Sequence, residues 1–189
     1  MKTIKIFLLL FIISIKLFGQ DSLWERKTIN DILSFEIAAK HNYRKSGYIN
    51  AYAGKVNSDL YGLQYYDTIF IPIETQEQFQ VALLGFMGGR LQDSSLKKYD
   101  VVVIDTSIGR TNGLMALFST KDTLQRYQRI YYYVTVANNR FYLFYANVLR
   151  ARNNDESVTH FFRSIIFNSE KLKERSFNLP PVNLKKNAD

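Results

Sequence analysis

Cysteine is absent from this chain of 189 residues, and histidine occurs only twice, at His41 and His160. The lack of cysteine excludes disulfide bonds, thiolate nucleophiles, cysteine-ligated metal centres and lipid attachment through a cysteine. With two histidines and no HExxH-type spacing, a zinc ion would need carboxylates for at least two of its ligands. The sequence therefore predicts no metal site and no other cofactor.

Motifs for catalysis are also missing. No serine lies in a G-x-S-x-G elbow. The glycine-containing segments at 85–90 and 109–113 match neither a P-loop nor a dinucleotide-binding fingerprint. We interpret the first as a helix terminus and the second as a hairpin turn. The sequence predicts no catalytic residue.

The first residues have the pattern of a secretory signal peptide. Lys2 and Lys5 precede an apolar run over residues 6–15. As a helix this run spans about 15 Å, half of a bilayer core. Gly19 is small enough to precede a cleavage site, so residues 1–19 are predicted to be removed before Gln20. We expect an exported protein, periplasmic or secreted, with no transmembrane span after cleavage.

Composition indicates one globular domain, because apolar residues make up 47% of the chain and aromatic residues 15%. Three of the 25 basic residues lie in the predicted signal peptide, so the mature chain has 22 basic and 17 acidic residues, a net charge of about +5. A charge of this size favours solubility, and nucleic acid is not predicted as a partner. We expect a single α+β domain over 20–170 and a basic, mobile tail over 171–189.

In the first half of the chain the patterns predict strands and then a helix. Residues 22–32 are polar and mixed, which predicts a short helix. Residues 33–39 alternate and predict a half-buried strand, 41–47 predict a turn, and 48–54 predict a second strand. Residues 60–73 predict a further extended segment. Thr75 and Gln78 then form a capping-box pattern that begins a helix.

In the second half the patterns predict two hairpins and a helix. Residues 99–104 form an apolar run that predicts a central strand covered on both faces. Asn112-Gly113 predicts the turn of the first hairpin. Asn138-Asn139 predicts the turn of the second, in which Tyr132 would lie opposite Tyr145. Neither face of this second hairpin is polar, so both faces are expected to be buried. An apolar stripe over 158–166 predicts the last helix.

This element order predicts an α+β fold in which helices flank an antiparallel sheet. The segments NGLMALF, YYYVTVANNRFYLFYANV and FFRSII resemble the second half of the PsbP-like families, and SFEIAAKHNY is similar to their first strand and turn. The resemblance extends over about 33–167. It implies the αβα sandwich of those families. It also implies a binding or accessory role, because such domains are generally not enzymes.

Tyrosines are the most suggestive candidates for a binding surface, because a tyrosine combines a flat apolar ring with a polar tip. The alternative is that the rings only fill space between the sheet and its helices. The arginine among the candidates would bind an anion. The predicted ligand- or partner-binding residues are Tyr65, Tyr66, Tyr131, Tyr133, Tyr142 and Arg110.

We expect an exported, non-enzymatic envelope protein that binds a protein partner or a small ligand. The sequence leaves two alternatives, a carrier with an apolar ligand in a cavity between helix and sheet, and an enzyme with an unrecognised site. A carrier needs a closed pocket lined by Phe and Tyr. An enzyme needs a histidine beside a carboxylate and a hydroxyl. A partner-binding protein needs exposed apolar surface.

Overall fold

Two antiparallel sheets form most of the molecule. The computed structural model describes residues 23–67, 72–109, 111–121, 127–149, 156–172 and 183–185. Two helices, α1 (Gln76–Leu91) and α2 (Glu156–Arg163), and two short 3-10 helices, Ser94–Leu96 and Ser169–Lys171, accompany the sheets. The strands are β1 (Trp24–Ile29), β2 (Leu33–Ala38), β3 (His41–Ser46), β4 (Ile49–Val56), β5 (Asp59–Tyr66), β6 (Asp100–Ile108), β7 (Thr111–Lys121), β8 (Tyr127–Ala137), β9 (Arg140–Val148), β10 (Ile166–Phe167) and β11 (Asn183–Lys185).

The large sheet has eight strands in the order β11-β6-β7-β8-β9-β5-β4-β3, and the small sheet has three in the order β1-β2-β10. The large sheet therefore has β11 at one edge and β3 at the other. Every pairing in both sheets is antiparallel.

Helix α1 packs against one face of the large sheet. The predicted capping box begins it, because the Thr75 side chain accepts from the Gln78 backbone and the Gln78 side chain accepts from the Thr75 backbone. Phe79, Leu83 and Met87 repeat at helical spacing and are buried against β6, β7, β8 and β9. This stripe fixes the helix to the sheet by apolar burial.

The small sheet and α2 cover the other face of the large sheet. Phe35 and Ile37 of β2 and Phe161 of α2 are fully buried there, against rings of β5 and β9. Ring centroids in this layer lie 6.1 Å apart for Phe35 and Phe144 and 5.4 Å apart for Tyr61 and Phe161. The interface is thus packed by direct ring contacts.

This arrangement shows that the predicted fold, an antiparallel sheet flanked by helices as a PsbP-like αβα sandwich, is wrong. Helix α1 covers one face of the large sheet. The opposite face is covered mainly by the small β-sheet and not by helices. The described chain is mostly antiparallel strand. The predicted signal peptide over 1–19 lies outside the described residues, as does most of the tail over 171–189.

Two polar segments account for much of the error. Residues 24–29, which were predicted as a helix, form β1, and residues 41–46, which were predicted as a turn, form β3. Both are edge strands, and their side chains are largely exposed. Because neither face of such a strand must be apolar, neither segment shows the alternation that identifies a half-buried strand.

The first predicted hairpin turn, at Asn112-Gly113, is wrong by a few residues. Ile108 pairs with Thr111, so the chain reverses between these two residues, and Gly109 has a positive φ of 59°. Gly113 does not form a turn but lies inside β7, at a point where the neighbouring strand β8 leaves no room for a side chain. A Cβ there would come within 2.3 Å of the Val134 carbonyl oxygen.

The second hairpin is confirmed. Asn138 and Asn139 both have positive φ, 51° and 57°, as a two-residue turn of this kind requires. Tyr132 pairs with Tyr145 as predicted. Val134 and Tyr133, which face opposite sides of the sheet, are each 0% exposed. Both faces of the hairpin are therefore core.

The prediction of a fully covered central strand over 99–104 is wrong. Strand β6 is next to the edge strand β11. Val101 and Val103 are buried under α1, whereas Val102 and Ile104 on the opposite face are 41% and 42% exposed. The small sheet does not extend over this end of the large sheet.

Candidate functional site

Three of the predicted binding tyrosines belong to the core. Tyr133 and Tyr142 are 0% exposed and Tyr65 is buried. The rings of Tyr65 and Tyr142 stack at 5.9 Å, and the Tyr133 hydroxyl donates to the Thr111 carbonyl oxygen at 2.8 Å. These three rings therefore fill space in the core of the described structure.

The remaining candidates do not complete a common surface. Tyr66 is half-buried on the α1 face, where its ring contacts Phe86 at 5.8 Å. Tyr131 is half-buried on the opposite face and contacts Phe162 at 6.3 Å. Arg110 lies outside the described residues. Tyr66 and Tyr131 therefore lie on opposite faces of the large sheet and do not form one binding surface.

A polar network joins β3, β4 and the end of β5. The Tyr43 hydroxyl donates to the Asn50 side-chain oxygen at 2.7 Å, and the Lys45 ammonium donates to the Asp67 carboxylate at 2.9 Å. The hydrogen bond from Lys45 lowers the pKa of Asp67. Burial raises the pKa of Tyr65, behind the network, to about 12. The network holds β3 in a fixed position on β4.

Strand β3 forms an exposed, basic margin of the large sheet. From residue 41 to 46 only His41 is partly shielded, and the other five side chains are exposed. Tyr43, in β3, is 51% exposed, and Tyr48, in the turn that follows β3, is 60% exposed. We call this surface, formed by Lys40, β3 and Tyr48, the basic edge.

The charge of the basic edge is of one sign. Residues 37–58 contain four basic residues and no acidic one. Lys45 is paired with Asp67, whereas Arg44 has no ion pair within the described part of the chain. Sequence reasoning missed this surface because it assigned 41–47 to a turn. The absence of acidic residues over this long interval is the signal that indicates it.

A second polar cluster lies on the outer side of the small sheet. The Glu36 carboxylate accepts from Arg26 at 2.8 Å and from Nε2 of His160 at 2.6 Å. The His160 ring also lies 5.0 Å from the Trp24 ring. Partial burial raises the pKa of Glu36, but the hydrogen bonds from Arg26 and His160 outweigh burial, and the net effect lowers the pKa. The cluster ties α2 to β1 and β2.

This cluster has two of the three groups that a hydrolytic site requires. His160 lies beside a carboxylate, but no hydroxyl in the described part of the chain hydrogen-bonds to its ring. Ser34 accepts instead from Arg26 at 2.9 Å. The other histidine, His41, donates from Nδ1 to the Ala38 carbonyl oxygen at 3.0 Å.

An open cavity of about 390 Å³ lies beside the small sheet. Its walls combine hydroxyl, carboxylate and amide groups with the exposed side chain of Ile166. Residues that line it include Thr28, Asp31, Ser34, Asn168 and Glu170.

The described residues contain neither a metal-binding cluster nor a membrane-spanning helix. No group of three or more histidine, aspartate and glutamate residues there is arranged to hold a metal ion. No helix in the described ranges has the length and apolar character needed to cross a bilayer. A scan against models of known protein families finds no match, and a search of curated proteins also finds none.

Proposed function

We propose that this protein is an exported, non-enzymatic envelope protein that works by binding a protein partner. The observation that supports this proposal is the basic edge. It combines a strand edge that no described strand covers, exposed tyrosine rings and an excess of basic side chains. Tyrosine and arginine are enriched where proteins bind one another, whereas lysine is depleted.

Export is part of the proposal and is supported by the sequence pattern of residues 1–19. The segments that resemble the PsbP-like families also support a binding or accessory role, although the αβα sandwich of those families is not the fold of this chain.

A small ligand is the second candidate, and the cavity beside the small sheet favours it. Its lining combines polar and apolar groups in about equal measure, so it suits a small ligand that carries both. The apolar carrier has less support, because direct ring contacts fill the layer between the small sheet and the large sheet.

Native mass spectrometry of the protein, purified gently from its own host, tests the proposal. We expect an assembly whose additional mass is that of a second polypeptide and is lost on denaturation. Additional mass of a few hundred daltons would favour the small ligand instead. A bare monomer, both in the native spectrum and after chemical cross-linking before purification, would contradict the binding role.

A further inference from the structure

We propose that β3 accepts an extended, acidic segment of a partner protein, which adds to the large sheet as a ninth strand. This inference rests on the proposed function and specifies the chemistry of the partner. Addition of a peptide strand to an exposed sheet edge is a recurring mode of recognition, in which main-chain hydrogen bonds supply affinity and side chains supply specificity.

The backbone of β3 is suited to strand addition. All six residues of β3 pair with β4 in an unbroken antiparallel register, from His41 opposite Gly54 to Ser46 opposite Ile49. Within the described residues no strand pairs with the other side of β3. Since alternate residues of an antiparallel edge strand direct their N–H and C=O groups outward, β3 presents such groups over about 20 Å. The strand contains no proline that would remove a donor.

The opposite edge of the same sheet shows that a short segment attaches in this way. Strand β11, which has only three residues, pairs antiparallel with residues 102–104 of β6. There the added strand comes from the chain itself. At the basic edge the described chain supplies no such strand.

Charge determines which segment fits. A second copy of β3 would bring Arg44 and Lys45 against like charges, which disfavours pairing of the protein with itself. A segment with alternating carboxylates would instead form cross-strand ion pairs, with Arg44 above all, because Arg44 has no carboxylate partner among the described residues. Basic side chains are a common protection of edge strands against aggregation. The same charges therefore exclude the wrong strand and select an acidic one.

The exposed tyrosine rings add apolar contact at low entropic cost. The Tyr43 ring lies 4.8 Å from the Tyr52 ring, and the Tyr43 hydroxyl is fixed on Asn50. A side chain that is already ordered loses little freedom when a partner binds. We therefore expect the preferred segment to alternate acidic residues with apolar ones that contact Tyr43.

Peptide titration followed by amide NMR shifts tests the proposal on the purified mature protein. The probe is a capped peptide of about eight residues with alternating glutamate and valine, long enough to span β3. We expect the largest amide shifts at residues 41–46. The matched lysine–valine peptide and an acidic peptide N-methylated at alternate residues, which keeps its charge but loses donors, should bind at least about tenfold more weakly.

A pair of charge-reversal variants gives the control on the protein side. Arg44→Glu should weaken binding of the glutamate–valine peptide by about tenfold. Lys97→Glu makes the same charge change at an exposed position before β6, at the far side of the sheet. It should change the affinity by less than about twofold, since β6 lies six strand positions from β3, and at about 4.8 Å a strand this exceeds the screening length.

Several outcomes would overturn the proposal. They are the absence of shifts in β3, equal binding of the N-methylated peptide, and equal effects of the two variants. Equally strong shifts of the same amides with heparin, a polyanion without a peptide backbone, would show that charge alone is recognised. If these tests fail while native mass spectrometry retains a second polypeptide, the strand-addition proposal falls and the binding function stands. A bare monomer after cross-linking would remove both.

Discussion

Tyr133 is the residue at which the alternatives of a binding face and a packed core separate most clearly. Its ring is fully buried, its hydroxyl is bound to the Thr111 carbonyl oxygen, and burial raises its pKa to about 12. The hydroxyl is thus engaged inside the protein and stays protonated at neutral pH. Tyr131, two residues away on the same face, is only half-buried.

We predict that Tyr133→Phe lowers the free energy of unfolding by about 1 kcal/mol, because one buried hydrogen bond is lost. Tyr131→Phe is the matched control and should change it by less than about 0.5 kcal/mol. Urea unfolding of both variants measures the difference. Equal effects of the two substitutions would show that the Tyr133 hydroxyl makes no specific contribution.

The lowered pKa of the Glu36 carboxylate should make the free energy of unfolding depend on pH. Because its pKa is lowered in the folded protein, its contribution is present above the unfolded-state value of about 4.3 and is lost as the pH falls through the lower folded-state value. Glu36→Gln should therefore reduce the free energy of unfolding by about 0.5 kcal/mol at pH 6, the size of a solvent-screened pair. The difference from the wild type should vanish towards pH 2.

Chemical unfolding at several pH values measures this difference. Glu170→Gln is the control, since Glu170 is an exposed glutamate with no ion pair in the described part of the chain. It should show no comparable change between these pH values. A Glu36→Gln effect that stays constant down to the lowest pH would contradict the assigned role of the ion pairs.

At the scale of elements, the sequence correctly predicted the features that are determined by neighbouring residues in the chain. The capping box at Thr75 and the Asn138-Asn139 turn are set by a few adjacent residues, and both were confirmed. Strands β1 and β3 were not predicted, because their pairing partners, and not their own side chains, determine that they are strands. The basic edge was missed for the same reason.

Glycines in two elements provide the next prediction. Gly113→Ala in β7 should lower the free energy of unfolding by about 2 kcal/mol or more, because its Cβ would lie 2.3 Å from a backbone oxygen of β8. Gly85→Ala in α1 should raise it by about 0.5–1 kcal/mol, because that position is exposed and nothing lies within 4 Å of the added Cβ. Urea unfolding measures both. A harmless Gly113→Ala would contradict the close approach of β7 to β8.

At the scale of the whole molecule, the layer architecture was the part that sequence could not provide. The capping box identified α1, and the apolar stripe over 158–166 identified α2, which ends at Arg163 before β10 begins at Ile166. Neither pattern showed that a three-stranded sheet would cover one face of the large sheet. The candidate tyrosines illustrate the consequence. Tyr142 is core because it lies on the interior strand β9 under the small sheet, whereas Tyr43 is exposed on the edge strand β3.

If the protein is exported, removal of the signal peptide determines the mass of the mature chain. The protein isolated from its own host should begin at Gln20, because Gly19 ends the predicted signal peptide. Denatured mass spectrometry with sequencing of the N-terminal peptide measures this directly. A chain that begins at Met1 would contradict export by this route.

The central claim is that the protein binds a partner through the basic edge. Incorporation of a photo-cross-linking phenylalanine derivative at Tyr48, in cells of the host, tests it most directly. The same residue placed at Val81, which is 64% exposed on α1, is the control. We predict a discrete adduct at Tyr48 whose cross-linked peptide is acidic, and none at Val81. Adducts at Val81 alone, equal adducts at both positions, or none at either would contradict the claim.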